Sequence, residues 1–312
     1  MQQITHNKYQ TRARNFHRKH IGTDDPSSAQ ICAALVSVAQ NYRPDSFRTL
    51  RHALSCDQLA RGNSAAAKKI AMVVNPVTAK GSELPCKPKP KRVHSVPHED
   101  FKTLQNYLLH NEQKDELAAI VLAKYLGTRP CEMRTITLDG SVVHIIGGKK
   151  TSKGDRGADR SLVIEHPKLL RLVRWSAKRM TKCERSDAAI RDRLRLECRK
   201  LWPRRKKHPT LYSFRHQLGS NLKASGEDAK TLAYIMGHQS IKSIEVYGDR
   251  RSGEGHRVHV RPAADADFSK IRQPTSPACY GRERVIGEIA FPLPFAPIRA
   301  VNTNSAPVIK RY

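Results

Sequence analysis

Apolar residues recur at helical spacing in the first third of the chain. They do so in three short segments: 31–40, 47–60 and 64–74. A repeat of three to four positions places apolar side chains on one face of a helix. Pro44 and the Gly62–Asn63 pair separate the segments, as residues that end helices do. The pattern predicts a small helical domain over residues 30–82.

The same spacing returns between residues 98 and 250. It predicts a helix from about His98 and further helices at 115–126, 168–180, 188–202, 213–225, 228–236 and 240–247. Between them, 142–146 (VVHII) and 161–164 (SLVI) are short β-branched runs that predict two strands of a β-hairpin joined by a basic loop. The predicted fold class is mainly α with a small antiparallel β-sheet.

Three segments lack these periodicities. Residues 1–29 are polar and basic, which predicts a mobile arm that becomes ordered on a phosphate backbone. Residues 83–97 alternate proline with lysine, which predicts an extended linker, either a plain spacer or a cationic strap on a duplex. Residues 251–312 are rich in Arg, Pro and Gly and include FPLPFAPI, which predicts a tail that is either disordered or a docking arm.

Charge indicates the kind of partner. The chain has 57 Lys and Arg against 28 Asp and Glu, a formal net charge of +29, and a pI near 10.2. This excess runs through the apolar-periodic segments as well as the ends, which favours a nucleic-acid partner over a protein with only a basic tail. Seven scattered cysteines without a C-x-x-C pair indicate reduced thiols. No signal peptide or membrane-length apolar run is evident, so we expect a cytoplasmic, nucleoid-associated protein.

Three separated motifs carry the candidate chemistry. Arg129 and Glu132 lie in the turn LGTRPCEMRTITL, Arg215 lies in LYSFRHQLGSNLKASG, and IMGHQSIKSIEVY holds both His238 and Tyr247. Tyr247 follows His238 by nine residues. Together, and in this order, the motifs resemble the signature of the tyrosine recombinase, or phage integrase, family over roughly residues 98–250.

The resemblance implies a role for each of these side chains. Tyr247 would be the nucleophile that attacks a DNA phosphodiester, and Arg129 and Arg215 would clamp its non-bridging oxygens. Guanidinium suits that clamp because it is always charged and offers parallel N–H donors. His238 would donate a hydrogen bond to the same phosphate, and Glu132 would support the arginines.

Two positions of the family's pattern have no single exact match in this chain. Tyr212 stands where the family normally has a histidine, and a phenol does not act as an imidazole base near neutral pH. The family also uses a lysine in the hairpin loop, where the chain offers Lys149, Lys150 and Lys153. We favour Lys153 as the general acid that protonates the leaving 5′ oxygen.

The implied reaction is strand cleavage and rejoining through a 3′-phosphotyrosine. It requires no cofactor or metal, and the sequence contains neither a P-loop nor an H-E-x-x-H motif. The implied partners are double-stranded DNA, a homotetramer assembled on two DNA sites, and accessory DNA-bending proteins, with no membrane. The helical domain 30–82 would bind DNA ahead of a catalytic domain over 98–250.

Two alternatives remain open at this stage. A type IB topoisomerase shares the tyrosine and the arginine clamp but does not exchange strands between two sites. A regulator or architectural protein that retains the fold without cleaving DNA is conceivable because of Tyr212. All three would bind DNA with steep salt dependence, so binding alone does not separate them.

Overall fold

The apolar spacings of the first third correspond to helices in the computed structural model. The structure describes residues 3–148, 157–254 and 258–273. Its chain divides into two units, Met1–Arg92 and Val93–Tyr312, called here the N-terminal unit and the C-terminal unit. The helices of the N-terminal unit are α1 (Gln3–His20), α2 (Ser28–Ser37), α3 (Pro44–Ala60) and α4 (Ser64–Ala71).

The ends of these helices follow from local sequence. Ser27 caps α2 in a reciprocal capping box with Gln30, and Pro44 occupies the first turn of α3, where its missing N–H costs nothing. Gly62 follows α3 with φ +84°, a conformation that favours glycine. The apolar faces meet in one core, formed by Phe16, Ile31, Leu35, Phe47, Leu50, Leu54 and Ile70.

Helix α1 corrects the prediction of a mobile arm at residues 1–29. Ala13, Phe16 and His17 lie on one face at helical spacing and are buried, and α1 packs against α3. Burial lowers the pKa of His17, so this ring contributes to the core as a neutral side chain. The apolar face of α1 has only about one residue per helical turn. Apolar periodicity alone therefore did not predict this helix.

The C-terminal unit is built around one buried helix. Its helices are α5 (His98–His110), α6 (Lys114–Leu126), α7 (Pro167–Thr181), α8 (Asp187–Leu201), α9 (Leu211–Ala224) and α10 (Ala229–Ile235). Helix α6 is buried along nearly its whole length and packs against α5, α7, α8 and α9. A helix that is apolar on all sides belongs in the middle of a core.

A four-stranded antiparallel sheet completes the described part of this unit. Its strands are β1 (Thr137–Asp139), β2 (Val142–Ile145), β3 (Arg160–Ile164) and β4 (Val260–Pro262), in that order. The predicted hairpin is confirmed, since β2 pairs with β3 in a register that aligns Val143 with Leu162. The predicted fold class, mainly helical with a small antiparallel sheet, is confirmed as well.

Two sequence predictions differ from the structure near the C-terminus. We expected a tail from residue 251, but β4 pairs with β3 and Ile271 is buried, so residues 258–273 belong to the unit. Val258 and Val260 alternate with polar residues, a strand signal too short to stand alone. Residues 274–312, including FPLPFAPI, lie outside the described residues.

The predicted helix at 240–247 is the second difference. The structure has a short 3-10 helix, Ile241–Ser243, followed by turns. Arg272 donates its backbone N–H to Gln239 O (3.0 Å) and accepts from Ile241 N (3.3 Å). The bond to Gln239 O occupies a carbonyl that would accept the first hydrogen bond of a helix over 240–247, whereas the Ile241 N–H belongs to a first turn that has no partner within a helix. In the described ranges, every helix is too short or too polar to cross a lipid bilayer.

Candidate active site

Arg129 lies directly after the most buried helix of the C-terminal unit. Gly127 ends α6 in the left-handed region with φ +59°, and an added Cβ would lie 2.9 Å from Leu218 Cδ2. Glycine therefore fits this turn where a larger residue would be strained. The chain then enters a 3-10 helix, Pro130–Thr135, with Arg129 at its start. The Arg129 side chain is only 6% exposed.

Glu132 connects two arginines. Its Oε1 accepts from Arg129 Nη1 (2.5 Å), and its Oε2 accepts from the Arg129 backbone N–H (3.0 Å) and from Arg160 Nη2 (3.2 Å). Burial by itself raises the pKa of Glu132, but the charges of Arg160 and Arg129 outweigh it and lower this pKa to about 2. Glu132 is therefore an ionised carboxylate that fixes both guanidinium groups.

Arg215 and His238 form the second part of the site. Arg215 lies on α9, which begins at a capping box between Thr210 and Ser213, and its side chain is fully buried. Its Nη2 donates to Met236 O and to His238 Nε2, the latter at 3.1 Å. Burial and the charge of Arg215 lower the pKa of His238 to about 2, so the imidazole is neutral. Because Nε2 accepts from Arg215, the ring proton belongs on Nδ1.

The Tyr247 ring lies against these groups. Its centroid is 4.8 Å from that of His238 and 5.0 Å from Arg215 Cζ, and the His216 ring stacks on it at 4.8 Å with an interplanar angle of 22°. The backbone of Tyr247 packs on α9, where a Cβ at Gly219 would lie 3.2 Å from Tyr247 O. The structure therefore brings Arg129, Arg215, His238 and Tyr247 together.

The cluster has an unbalanced charge. Three guanidinium groups, those of Arg129, Arg160 and Arg215, face one carboxylate, that of Glu132. Nε and Nη1 of both Arg160 and Arg215 are buried and have no hydrogen-bond partner among the residues that the structure describes. Burial, together with Arg129 and Arg160, lowers the pKa of Arg215 to about 9, which still leaves it protonated at neutral pH. Buried cations with unused N–H donors call for an anion.

A pocket of about 440 Å³ lies beside this cluster. The residues that line it are Arg129, Gly157, Gly237, His238, Gln239, Ser240, Ser243, Val246, Tyr247 and Arg272. Of the cluster, Arg129 lines this pocket, and Arg272 adds a second guanidinium group to the lining. Two guanidinium groups suit an oxyanion with several oxygens, such as a phosphodiester. Within the part of the chain that the structure describes, no group of three His, Cys, Asp or Glu side chains is placed to hold a metal ion.

Comparison with solved structures identifies the fold. Neither a protein-family model nor a curated protein matches the sequence. Among solved structures, a lambda integrase tetramer bound to a Holliday junction is similar over 83% of this chain and 75% of its own, with a TM-score of 0.53 and 17% identity. The Tn1549 transposon integrase, in complex with a circular intermediate DNA, is similar over 80% and 90%, with a TM-score of 0.54 and 12% identity. A lambda integrase dimer bound to a core site is similar over 83% and 93%, with a TM-score of 0.51 and 19% identity. The chain has the tyrosine recombinase fold.

Tyr212 lies close enough to Tyr247, Arg129 and Arg215 to interact electrostatically with them in this tyrosine recombinase fold. It occupies the first turn of α9 and is 37% exposed. Partial burial and the neighbouring Tyr247 phenol raise the pKa of Tyr212, although Arg129 and Arg215 act in the opposite direction. Tyr212 is therefore a neutral phenol at physiological pH that can donate or accept one hydrogen bond.

The loop lysines Lys149, Lys150 and Lys153 lie outside the described residues. The chain on either side of them reaches the site: Gly148 N–H donates to Glu132 Oε1 (3.3 Å), and Gly157 lines the pocket. A loop with both of its ends at the site has the reach to bring a lysine to it, so the choice among these three stays a prediction.

Two arginines of the site were missed from the sequence. Arg160 is the first residue of β3, whose alternating burial places it on the same face as Leu162 and Ile164. Extending the alternation of SLVI by one residue would have indicated an inward-facing arginine. Arg272 lines the pocket from a segment that we expected to be a tail. Its proximity depends on the pairing with Gln239, for which the sequence carries no local signal.

Proposed function

We propose that this chain is a site-specific DNA recombinase that cleaves and rejoins strands through a 3′-phosphotyrosine on Tyr247. One observation carries the proposal. The Tyr247 ring packs on Arg215 and His238 beside a pocket whose wall holds more guanidinium groups than carboxylates. A phosphodiester in that pocket would accept hydrogen bonds from Arg129 and Arg272. Its negative charge would offset the buried positive charge of Arg160 and Arg215.

In the proposed reaction, the Tyr247 phenol oxygen attacks the scissile phosphorus while the bond from phosphorus to the 5′ oxygen breaks. The phenol proton passes to a base, and the 5′ oxygen gains a proton from a loop lysine, for which Lys153 is our candidate. Arg129 and Arg215 stabilise the charge on the non-bridging oxygens. One phosphodiester replaces another, so the reverse attack by a 5′ hydroxyl reseals the strand without an added energy source.

His238 has a defined part in this scheme. Its Nε2 accepts from Arg215 and its pKa is about 2, so a proton on Nδ1 is the donor that the ring can offer to a phosphate oxygen. The same low pKa makes it a poor acceptor for the phenol proton. We therefore assign His238 to orienting the phosphate and the Arg215 guanidinium.

The wider setting is also a proposal. The solved structures with this fold include a lambda integrase tetramer on a Holliday junction and a Tn1549 integrase on circular intermediate DNA. By analogy, we propose that this chain acts as a tetramer on two DNA sites, with the N-terminal unit as a second DNA-binding element. Integration or excision of a mobile element, aided by DNA-bending proteins, is the corresponding biological task.

Covalent capture tests the proposed function. The substrates are nicked duplexes with random sequence around the nick. The nick lets the released fragment with the 5′ hydroxyl diffuse away, so that the tyrosyl adduct is trapped. Sequencing the trapped DNA reveals the preferred site. We expect a denaturant-stable adduct with the parent, enrichment of one sequence, and no adduct with Tyr247→Phe. Tyr107→Phe is the matched control, since its phenol bonds Glu197 in a different part of the unit.

The captured sequence also separates the alternatives. Strand exchange between two copies of that sequence is expected of a recombinase. Adducts without sequence preference or strand exchange would instead indicate a topoisomerase-like enzyme, and tight DNA binding without any adduct would indicate an architectural protein.

A further inference from the structure

The segment that opens the C-terminal unit is fastened to the helix that carries Arg215. Ser95 Oγ and the Val96 backbone N–H both donate to Gln217 Oε1, each at 2.9 Å. The His94 ring packs edge-on against the His216 ring, with centroids 4.6 Å apart and an interplanar angle of 75°. Residues 94–96, the end of the proline and lysine segment, thus lie along α9 beside the active site.

His216 links that segment to the nucleophile. One face of its ring stacks on Tyr247, and its Nδ1 accepts the Gly248 backbone N–H at 3.3 Å. With Nδ1 accepting, the neutral ring carries its proton on Nε2. The stacked His216 ring also contacts the face of the phenol and not its hydroxyl. This geometry suits a residue that holds the tyrosine in place and not one that takes its proton.

The same helix face holds the backbone that follows the nucleophile. Gln217 Nε2 donates to Ser252 O (2.8 Å), Ser220 Oγ accepts from Asp249 N (3.0 Å), and Lys223 Nζ donates to Gly248 O (2.9 Å). Gly248 has φ +69°, and an added Cβ would lie 2.2 Å from Ser220 N. The nucleophile segment is therefore pinned to α9 by backbone contacts, and the Tyr247 ring is oriented by its aromatic neighbours.

We propose that His94 and His216 are positioning residues for Tyr247, so that the end of the linker forms part of the active site. The inference rests on the proposed function. Tyr247 follows a short 3-10 helix and turns, where a side chain retains more rotamer freedom than in a packed helix. A stacked imidazole that is itself held by a second ring limits this freedom and aligns the phenol oxygen for attack.

Single-turnover adduct formation on the captured duplex measures the effect. We expect His216→Ala to slow adduct formation about tenfold and His94→Ala about threefold, the sizes of one lost aromatic contact. His216→Phe should restore most of the rate, because stacking and not a titratable nitrogen is required. DNA affinity should stay unchanged, and His110→Ala, an exposed histidine on α5, is the matched control.

A second assay separates positioning from damage to the phosphate site. In a Tyr247→Phe background, hydrogen peroxide supplies a small nucleophile. Its oxygen bonds to phosphorus and its proton is released to solvent, while the bond to the 5′ oxygen breaks and that oxygen takes up a proton to leave as a 5′ hydroxyl. Adding His216→Ala should leave this peroxide-supported cleavage unchanged, because there is no tyrosine to position. Adding Arg215→Lys should abolish it, because the clamp serves either nucleophile.

The outcomes are distinct. Equal losses from His216→Ala in the tyrosine and peroxide assays, or no rescue by His216→Phe, would overturn the positioning role while leaving the proposed function intact. Full parental rates in both His216→Ala and His94→Ala would do the same. A parent that forms no adduct on any duplex would remove the proposed function and this inference with it.

Discussion

Two clusters of buried charge in the C-terminal unit differ in their balance. At the α6, α7 and α8 junction, Asp115 and Glu116 meet Arg179 and Arg185, two carboxylates against two guanidinium groups, and both arginines are more than a third exposed. At the pocket, Arg129 and Arg160 pair with Glu132, and the buried Arg215 adds a third positive charge that interacts with the same carboxylate without a direct contact. The first cluster balances its charges, although both carboxylate oxygens of Glu116 lack a hydrogen bond among the described residues. The pocket cluster keeps an excess of positive charge, which an anion from outside would offset.

This difference teaches how a binding site is recognised among structural ion pairs. A folded chain gains little by burying an excess of like charge. Burial, and after it repulsion from Arg129 and Arg160, lowers the pKa of Arg215. An arrangement that costs stability and leaves N–H donors unused is expected where a ligand completes it. The predictions below therefore compare changes at the two clusters.

The largest effect is expected from the clamp itself. Arg215→Lys and Arg129→Lys should each lower the rate of adduct formation by at least about 10²–10³-fold, because a lysine does not reproduce two parallel N–H donors on a phosphate. DNA affinity, measured by fluorescence anisotropy at fixed salt, should change little since many other cations contact the backbone. Arg179→Lys in the balanced cluster is the control and should retain the parental rate.

The next effect concerns stability. Glu132→Gln removes the single carboxylate shared by the arginines and should destabilise the C-terminal unit by about 3–5 kcal/mol. Arg160→Met removes one of three like charges, so it should cost clearly less than Glu132→Gln. Both tryptophans of the chain, Trp175 and Trp202, belong to the C-terminal unit, so urea unfolding followed by their fluorescence reports on it alone. A larger loss in Arg160→Met would mean that charge excess does not govern this cluster.

A smaller effect should appear as a pH dependence. Burial and the neighbouring arginines keep His238 neutral in the folded chain, while the unfolded chain takes up this proton below pH 6.5. The neutral His238 therefore does not lower the free energy of unfolding above pH 6.5. As the pH falls below 6.5, this free energy decreases by up to about 1.4 kcal/mol per pH unit. His238→Gln should have a flatter stability profile between pH 6.5 and 5 by tryptophan fluorescence. Parallel profiles would contradict a buried, neutral His238.

The smallest change tested is Gly237→Ala. Gly237 has φ +61°, and an added Cβ would lie 2.4 Å from Arg160 Nη1. The methyl group should strain the backbone and displace Arg160 from Glu132, lowering stability by about 1–2 kcal/mol and slowing cleavage. Gly226→Ala shares the positive φ but has open space around it. A cleavage defect in Gly226→Ala as large as that in Gly237→Ala would assign the effect to backbone strain alone.

The sequence predicted the helices and strands that have a clear local pattern of apolar residues. Apolar periodicity located α3, α6 and the β2–β3 hairpin, because each has a clear face or alternation of its own. The resemblance of three motifs to the tyrosine recombinase signature selected Arg129, Arg215, His238 and Tyr247, which the structure brings together. These groups are recognisable because the residue types and their order are unusual even in a strongly basic chain.

The sequence did not predict the site residues that reach the pocket through contacts between distant segments of the chain. Arg160 joins the site through the register of β3 against β2, and Arg272 through its backbone bonds with Gln239. His94 reaches His216 because Ser95 and Val96 bond Gln217, more than a hundred residues away in the chain. Such contacts leave no periodic trace in the sequence, since each joins segments that have no local reason to meet.

Mapping the attachment point of captured DNA tests the central claim most directly. After the adduct is trapped on the preferred duplex, nuclease and trypsin digestion should yield the peptide of residues 243–250 with a nucleotide phosphate on Tyr247, identified by tandem mass spectrometry. Recovery of the nucleotide on residues 208–215, which contain Tyr212, or on any other side chain, would contradict Tyr247 as the nucleophile.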